Sequence, residues 1–440
     1  MTTTYWAEHA LLPGGVAHGV RLTETDGRWS AIEPGVEPAA ADVRLSGVVL
    51  PGFANCHSHA FHRALRGRTH GDGGTFWTWR ERMYAISRRL TPENYRTLAR
   101  AVFAEMAMAG MTSVGEFHYV HHRPGGAAYD DPNAMGEALR EAAREAGIRL
   151  TLLDTCYLHG GLTAEGHTPL NEEQQRFSDG SAAAWSERHA ALSDDDNTRI
   201  GAAIHSVRAM ARGEMDDVLA ASEGQPVHAH VSEQPAENEA CEAFYGRSPV
   251  ALLGEAGALT PRFSAVHATH LSDGDIAALA GADAVACFCP TTERDLADGI
   301  GPARALSDAG VRVSLGSDQH AVVDTFEDAR ALEMHERLVT NDRGRFTPEQ
   351  LLEAATRHET IGWDDAGRLE VGLRADAVAV RLDSRRTAGC LPEQVLLAAT
   401  AQDVTDVLVD GRVVVREGRH QLGDVGALLT EAITALWEDA

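Results

Sequence analysis

Lysine is absent from the 440 residues, so all 39 basic side chains are arginine. That excludes Schiff-base chemistry and any carboxylated lysine bridging two metals, and leaves a planar, permanently charged fork as the only strong cation. Cysteine is sparse. Its six copies show no CxxC and no dense framework, as in proteins of a reducing compartment. No apolar run approaches the ~20 residues of a membrane helix, and no basic head with an apolar stretch opens the chain. A cytoplasmic protein away from membranes is expected. Positive charge is also in deficit, with 39 Arg against 65 Asp and Glu and a formal net charge of -26. Such a surface repels polyanions, which argues against nucleic acid as a partner. A small anionic substrate would need local arginines.

What is present is ordinary for a globular chain, with 44% hydrophobic and 24% charged residues. Residues 1–52 hold short β-like pieces broken by Gly and Pro, ending in a strand and turn signal at Leu45–Gly52. From 53 to 362, short β-branched runs alternate with Ala-rich segments of helical period. One helix should open at Thr91 as N-cap, with Pro92 in its first turn. Candidate strands are the run before His57, then Thr112–Phe117, Arg149–Thr155, Arg199–His205, Pro226–His230, Ser264–His267, Ala284–Phe288 and Val311–Gly316. Eight such units predict an α/β chain, a (β/α)8 barrel whose chemistry sits at the strand ends. From 363 to 424 the period returns to β, with a hairpin turn at Asp410-Gly411. These strands are expected to join the N-terminal ones in a discontinuous β-sandwich, followed by a closing amphipathic helix over 425–440.

Polar residues gather at the predicted strand ends. In Asn55-Cys-His-Ser-His59 the period-two alternation puts His57 and His59 on one face. His228-Ala-His230 ends a strand with Glu233 three residues on, His267 ends the next, and Asp318 follows the eighth. Each alone reads more simply as a hydrogen-bonded core histidine or a loop carboxylate; together they read as a metal centre. Neutral imidazoles with one carboxylate suit zinc, with iron(II) and manganese(II) left open. Without lysine a single metal is favoured. Considered by themselves, Arg80 is a surface arginine stacked on Trp77 or Trp79, His118, His121 and His122 are solvated or structural, Asp194–Asp196 is an exposed turn, and Cys287 and Cys289 pack a strand end.

Four motifs carry a resemblance: His57-Ser-His-Ala-Phe-His-Arg-Ala64, Phe76-Trp-Thr-Trp-Arg-Glu-Arg-Met-Tyr84, Glu116-Phe-His-Tyr-Val-His-His122 and Cys289-Pro-Thr-Thr-Glu293. With them the whole chain resembles the amidohydrolase superfamily and, within it, the formimidoylglutamate deiminases. The resemblance implies His57, His59, His230 and Asp318 as metal ligands and Glu233, His267 and Asp318 as catalytic groups. It also implies Arg80, Tyr119, His205 and Arg208 as substrate contacts, with His62 where relatives often carry glutamine. The reaction it implies is hydrolysis of N-formimino-L-glutamate to N-formyl-L-glutamate and ammonia in histidine breakdown. In that scheme a metal-activated water attacks the formimino carbon, Asp318 takes its proton, Glu233 shuttles protons and His267 orients the attack. A homodimer is expected on the same ground, and the segment from His70 to Trp79 as a cover over the site. The alternatives are a nucleobase or aminotriazine deaminase with the same machinery, and a barrel that has lost its chemistry.

Overall fold

Each predicted run becomes a strand of one parallel sheet in the computed structural model, which describes residues 2–71 and 76–438. The strands are Phe53–Ser58, Met111–His118, Arg149–Cys156, Thr198–Ser206, Val227–Val231, Phe263–His267, Val285–Phe288 and Arg312–Leu315. They neighbour one another in chain order, and every pairing is parallel. The first three are nearly or wholly buried along their length, because helices cover the outside and side chains fill the inside. Pro92–Met108 is such a helix. Thr91 caps it reciprocally, its hydroxyl accepting the Asn94 N–H at 3.3 Å while Asn94 Oδ1 accepts the Thr91 N–H at 2.7 Å.

The ring closes where the candidate ligands lie. Ser58 and Asp318 form a parallel bridge; the Asp318 N–H donates to the His57 carbonyl at 3.0 Å and the His59 N–H to the Asp318 carbonyl at 3.1 Å. Gly316 permits this seam, since a Cβ there would stand 2.7 Å from His57 Cβ. The backbone bonds that shut the barrel therefore also set three candidate ligands side by side.

The N- and C-terminal segments form a second eight-stranded sheet, interleaved where Ala377–Val380 pairs antiparallel with Val43–Leu50. The short N-terminal pieces read from the sequence are in fact two eleven-residue strands, Thr2–Leu12 and Gly15–Thr25, hinged at Pro13-Gly14. The expected sandwich is one continuous sheet that curls until the turn at Gly27 meets the Asp410-Gly411 turn. There Tyr5 donates to the Gly411 carbonyl at 3.2 Å, and a Cβ on Gly411 would strike Glu24 Cγ at 2.4 Å. Tyr5, Val20, Trp29, Leu45, Ala377 and Leu408 share its core.

An ion network centred on the buried Arg149 and Asp376 joins the two sheets. Arg149 pairs with Asp376 and, at 3.1 Å, with Asp410; Arg374 pairs with Asp410 at 2.8 Å and Asp365 at 2.9 Å. The guanidinium carbons of Arg149, Arg199 and Arg374 stack on Trp363 at 5.1, 4.2 and 4.8 Å from its ring centroid. The last helix, Val425–Glu438, packs on Pro92–Met108, with Trp437 Nε1 donating to the Ala64 carbonyl at 3.0 Å. No helix among the described residues is long and apolar enough to cross a membrane.

Candidate active site

His57 and His59 point to the same side of their extended segment, as period-two alternation requires. Their Nε2 atoms each lie 3.3 Å from Asp318 Oδ1, and His57 Nε2 lies 3.2 Å from His230 Nε2. His59 Nδ1 faces the Phe117 carbonyl at 2.9 Å, and His230 Nδ1 the His205 carbonyl at 3.0 Å. A carbonyl only accepts, so both Nδ1 atoms carry the proton and both Nε2 atoms present lone pairs. The lone pair of His59 thus faces a carboxylate oxygen, and that of His230 faces another ring nitrogen. A cation held among them would accept these lone pairs together with the carboxylate oxygen. With metal–donor bonds of ~2.0–2.1 Å, a tetrahedral site has edges of about 3.3 Å, matching the spacing found.

Protonation states agree with that donor set. Burial holds His57 down to about 3 and keeps His230 well below the ordinary histidine range, so both are neutral. Burial alone would raise Asp318, yet the neighbouring His57 and His59 rings hold it well below the usual carboxylate range, so it is ionised. Two further imidazoles come within reach. His267 shares a cluster of mutual donor distances within 4.8 Å with His57, His230 and Asp318, and His62 shares one with His59 and Asp318.

His267 is set apart by its carboxylate neighbours. Burial depresses it, but Glu233, Glu293 and Asp318 together lift it to about 10, with Nε2 3.9 Å from Glu233 and Nδ1 3.5 Å from Glu293. Ser232, His267 and Asp318 hold φ of +52°, +69° and +42°, a left-handed backbone that non-glycine residues adopt at a cost and that is often found at functional sites.

These groups open into a cleft that His62, Arg80, Tyr119, His205 and Arg208 also line. Arg80 is half-buried rather than a surface residue, and its Nε donates to the Tyr84 hydroxyl at 2.8 Å. The side chain of Trp77 and residues 72–75 of the expected cover lie outside the described residues. Arg208 is engaged: its Nη2 donates to Glu233 at 2.9 Å, and its Nε lies 3.0 Å from Glu237. His62 Nε2 and the Tyr119 hydroxyl are 2.9 Å apart, and burial keeps both His62 and His205 neutral.

Sequence models agree with this geometry. One described as Amidohydrolase family matches residues 48–414, and one described as formimidoylglutamate deiminase HutF, N-terminal domain, matches residues 2–46. The chain belongs to the amidohydrolase family. Among amidohydrolase relatives, a formimidoylglutamate deiminase of Pseudomonas aeruginosa is 39% identical over 434 residues, covering 94% of this chain and 95% of its own. A 5-methylthioadenosine/S-adenosylhomocysteine deaminase of Pelotomaculum thermopropionicum is 27% identical, covering 92% and 89%. Among solved structures, an amidohydrolase from Brucella melitensis superposes with a TM-score of 0.90 at 33% identity, covering 99% of this chain and 100% of that one. An adenosine deaminase from Xanthomonas campestris with bound zinc shares the fold at TM-score 0.83 and 24% identity, covering 99% and 98%.

Of the two roles expected for His118, His121 and His122 in this amidohydrolase, solvated or structural, the structure gives the second: they are buried and stand away from the cleft, with His121 Nε2 2.8 Å from the Thr155 carbonyl and His122 Nε2 2.9 Å from Asp179. Asp194–Asp196 is the exposed turn expected, with Asp195 capping the N–H groups of Asn197 and Thr198. Cys287 and Cys289 pack with Cys56 and Val266. Two carboxylates were missed as members of the site: Glu293, which also accepts the Cys289 N–H at 2.8 Å, and Glu237. Glu293 ends one of the quoted motifs, and Glu237 stands one helical turn beyond Glu233.

Proposed function

We propose that the chain hydrolyses N-formimino-L-glutamate to N-formyl-L-glutamate and ammonia. The observation that carries this is one cleft lined by a cation-demanding donor cluster, by Glu233 and His267, and by Arg80 and Arg208. A divalent metal held by His57, His59, His230 and Asp318 would act as a Lewis acid, lowering the pKa of a bound water towards ~7. Asp318 accepts a proton from the attacking water. Glu233 passes that proton to the imino nitrogen, making the formimino carbon more electrophilic, and then carries the proton of the added hydroxyl to the departing nitrogen as the carbonyl forms and the carbon–nitrogen bond breaks. His267 hydrogen-bonds the oxygen that adds to carbon and fixes its line of approach. Arg80 and Arg208 face the two carboxylates, and the neutral Tyr119, His205 and His62 supply hydrogen bonds.

Aromatic walls favour a second reading. Trp79, Tyr84, Tyr119, Tyr157 and Phe177 line the same cleft, as suits deamination of a nucleobase or aminotriazine ring. Ammonia release from N-formimino-L-glutamate, N-formimino-L-aspartate, cytosine and guanine, on a sample of known metal content, separates the two. Turnover of the glutamate compound is expected; turnover of the ring amines alone would overturn the assignment.

The domain division proposed with it is a barrel over 53–362, a β domain from 1–52 and 363–424, and a closing helix from 425. Zinc as the ion rests on the donor set of imidazoles and one carboxylate, a homodimer on the family resemblance, and a cytoplasmic setting on the sparse, scattered cysteines; metal analysis and light scattering test the first two.

A further inference from the structure

Glu237 is buried, borders the cleft chemistry, and takes no part in the steps above; burial pushes its carboxyl above the ordinary range, and the Arg208 guanidinium beside it opposes that shift. It lies in the first turn of the helix Pro235–Tyr245, where a carboxylate is favoured by the helix end. Its Oε1 accepts the Ser232 N–H at 3.0 Å and so braces the turn, at φ +52°, that carries Glu233. Its Oε2 lies 3.0 Å from Arg208 Nε, but that N–H is not aimed at the oxygen, so the contact is a charge pair and not a hydrogen bond. Arg208 in turn donates to Glu233 through Nη2. One guanidinium thus stands between a carboxylate that moves protons and one that does not.

This arrangement makes Arg208 serve two partners. A substrate carboxylate arriving at Arg208 competes with Glu233 for the same fork. If Glu233 were the sole counter-ion, releasing it would also free Arg208 to swing away. We propose that Glu237 is a positioning residue: it anchors Arg208 in the cleft while Nη2 passes from Glu233 to the substrate carboxylate, and it holds the Ser232–Glu233 turn so that the released Glu233 stays at the reacting atoms. The proposal rests on the assignment of Arg208 as a carboxylate contact. It makes recognition of the anion the event that frees the proton shuttle.

Glu237→Gln tests it, because the amide oxygen can still accept the Ser232 N–H while the anchoring charge is lost. KM and kcat for N-formimino-L-glutamate are measured in wild type, E237Q, R208Q and the double variant, with metal content assayed in each. E237Q should raise KM about tenfold or more with kcat within about threefold, and should change kcat/KM by less than about twofold when Arg208 is already Gln. Calorimetric titration with glutarate, a dicarboxylate that needs no turnover, should show the same loss in E237Q and the same absence of further loss in the double variant. An equal E237Q penalty in both backgrounds, or glutarate binding absent in wild type or unchanged in E237Q, overturns the role of Glu237. Failure of wild type to release ammonia, with the glutarate coupling intact, would instead discard the substrate assignment alone. Glu237→Asp, which keeps the charge but draws it back, should show an intermediate KM and guards against misfolding of the amide variant.

Discussion

Two buried polar clusters stand near opposite ends of the barrel, and they differ in one respect. In the network joining the sheets, Arg28, Arg149 and Arg374 pair with Asp365, Asp376 and Asp410, so the charges are closed among themselves. At the barrel seam, the lone pairs of His59 and His230 face Asp318 Oδ1 at 3.3 Å and His57 Nε2 at 3.2 Å, a donor set that a cation would complete. The difference separates a cluster that fastens from a cluster that binds: completeness marks the first, and a deficit of positive charge marks the second. Burial and composition alone do not tell them apart.

The largest effect expected from breaking this comparison is at the seam. Asp318→Asn should lower ammonia release on the order of 10³-fold or more while leaving the metal-free protein within about 1 kcal/mol of wild-type stability, read by urea unfolding. A large loss of metal-free stability would mean that the seam is also a fastening. Arg149→Met should do the reverse. By stranding the buried Asp376, while Asp410 keeps Arg374, it should cost about 3–5 kcal/mol of stability, with kcat changed little in the protein that remains folded. Gly316→Ala is smaller and mixed, since its Cβ must displace His57; metal affinity is expected to fall about 10–100-fold, seen by competition with a chelator.

The last effect, smallest per pH unit and spread over several units, is one of pH. Burial raises Glu116 to about 8, against hydrogen bonds from the Ser58 hydroxyl at 2.5 Å and the Ala60 N–H at 2.6 Å. The native state then holds a proton that the unfolded chain gives up near pH 4.5. This contribution is complete below that pH and is lost as pH rises to about 8, with a slope of at most ~1.4 kcal/mol per pH unit. Urea unfolding between pH 5 and 8 should show the decline in wild type and a flatter profile in Glu116→Gln.

The barrel was legible because each strand is a short β-branched run bounded by helical periodicity, and because the polar residues fall at the strand ends. The Asp410-Gly411 turn was legible as a pair of residues that tolerates positive φ, here +48° and +72°. Other features required coordinates. Pro13-Gly14 reads as a break but is the tip of a hairpin joining two long strands, and the hairpin of Gly161–Thr163 with Gly166–Thr168 lies in a stretch rich in turn residues. Glu237 and Glu293 escaped as members of the site because a glutamate in a first helical turn is commonplace, and only the distances to Arg208 and His267 distinguish them. Arg208 was recognised as a cation for the substrate, but nothing in its neighbours along the chain reveals that it already pairs with Glu233.

The most direct test is to strip the protein of metal and titrate it with zinc, following heat of binding and ammonia release from N-formimino-L-glutamate in the same samples. If the seam is a cluster completed by one cation, activity should rise in proportion to bound zinc and level off near one ion per chain. Full activity in the metal-free protein, or activity that appears only with a second ion, would contradict the account.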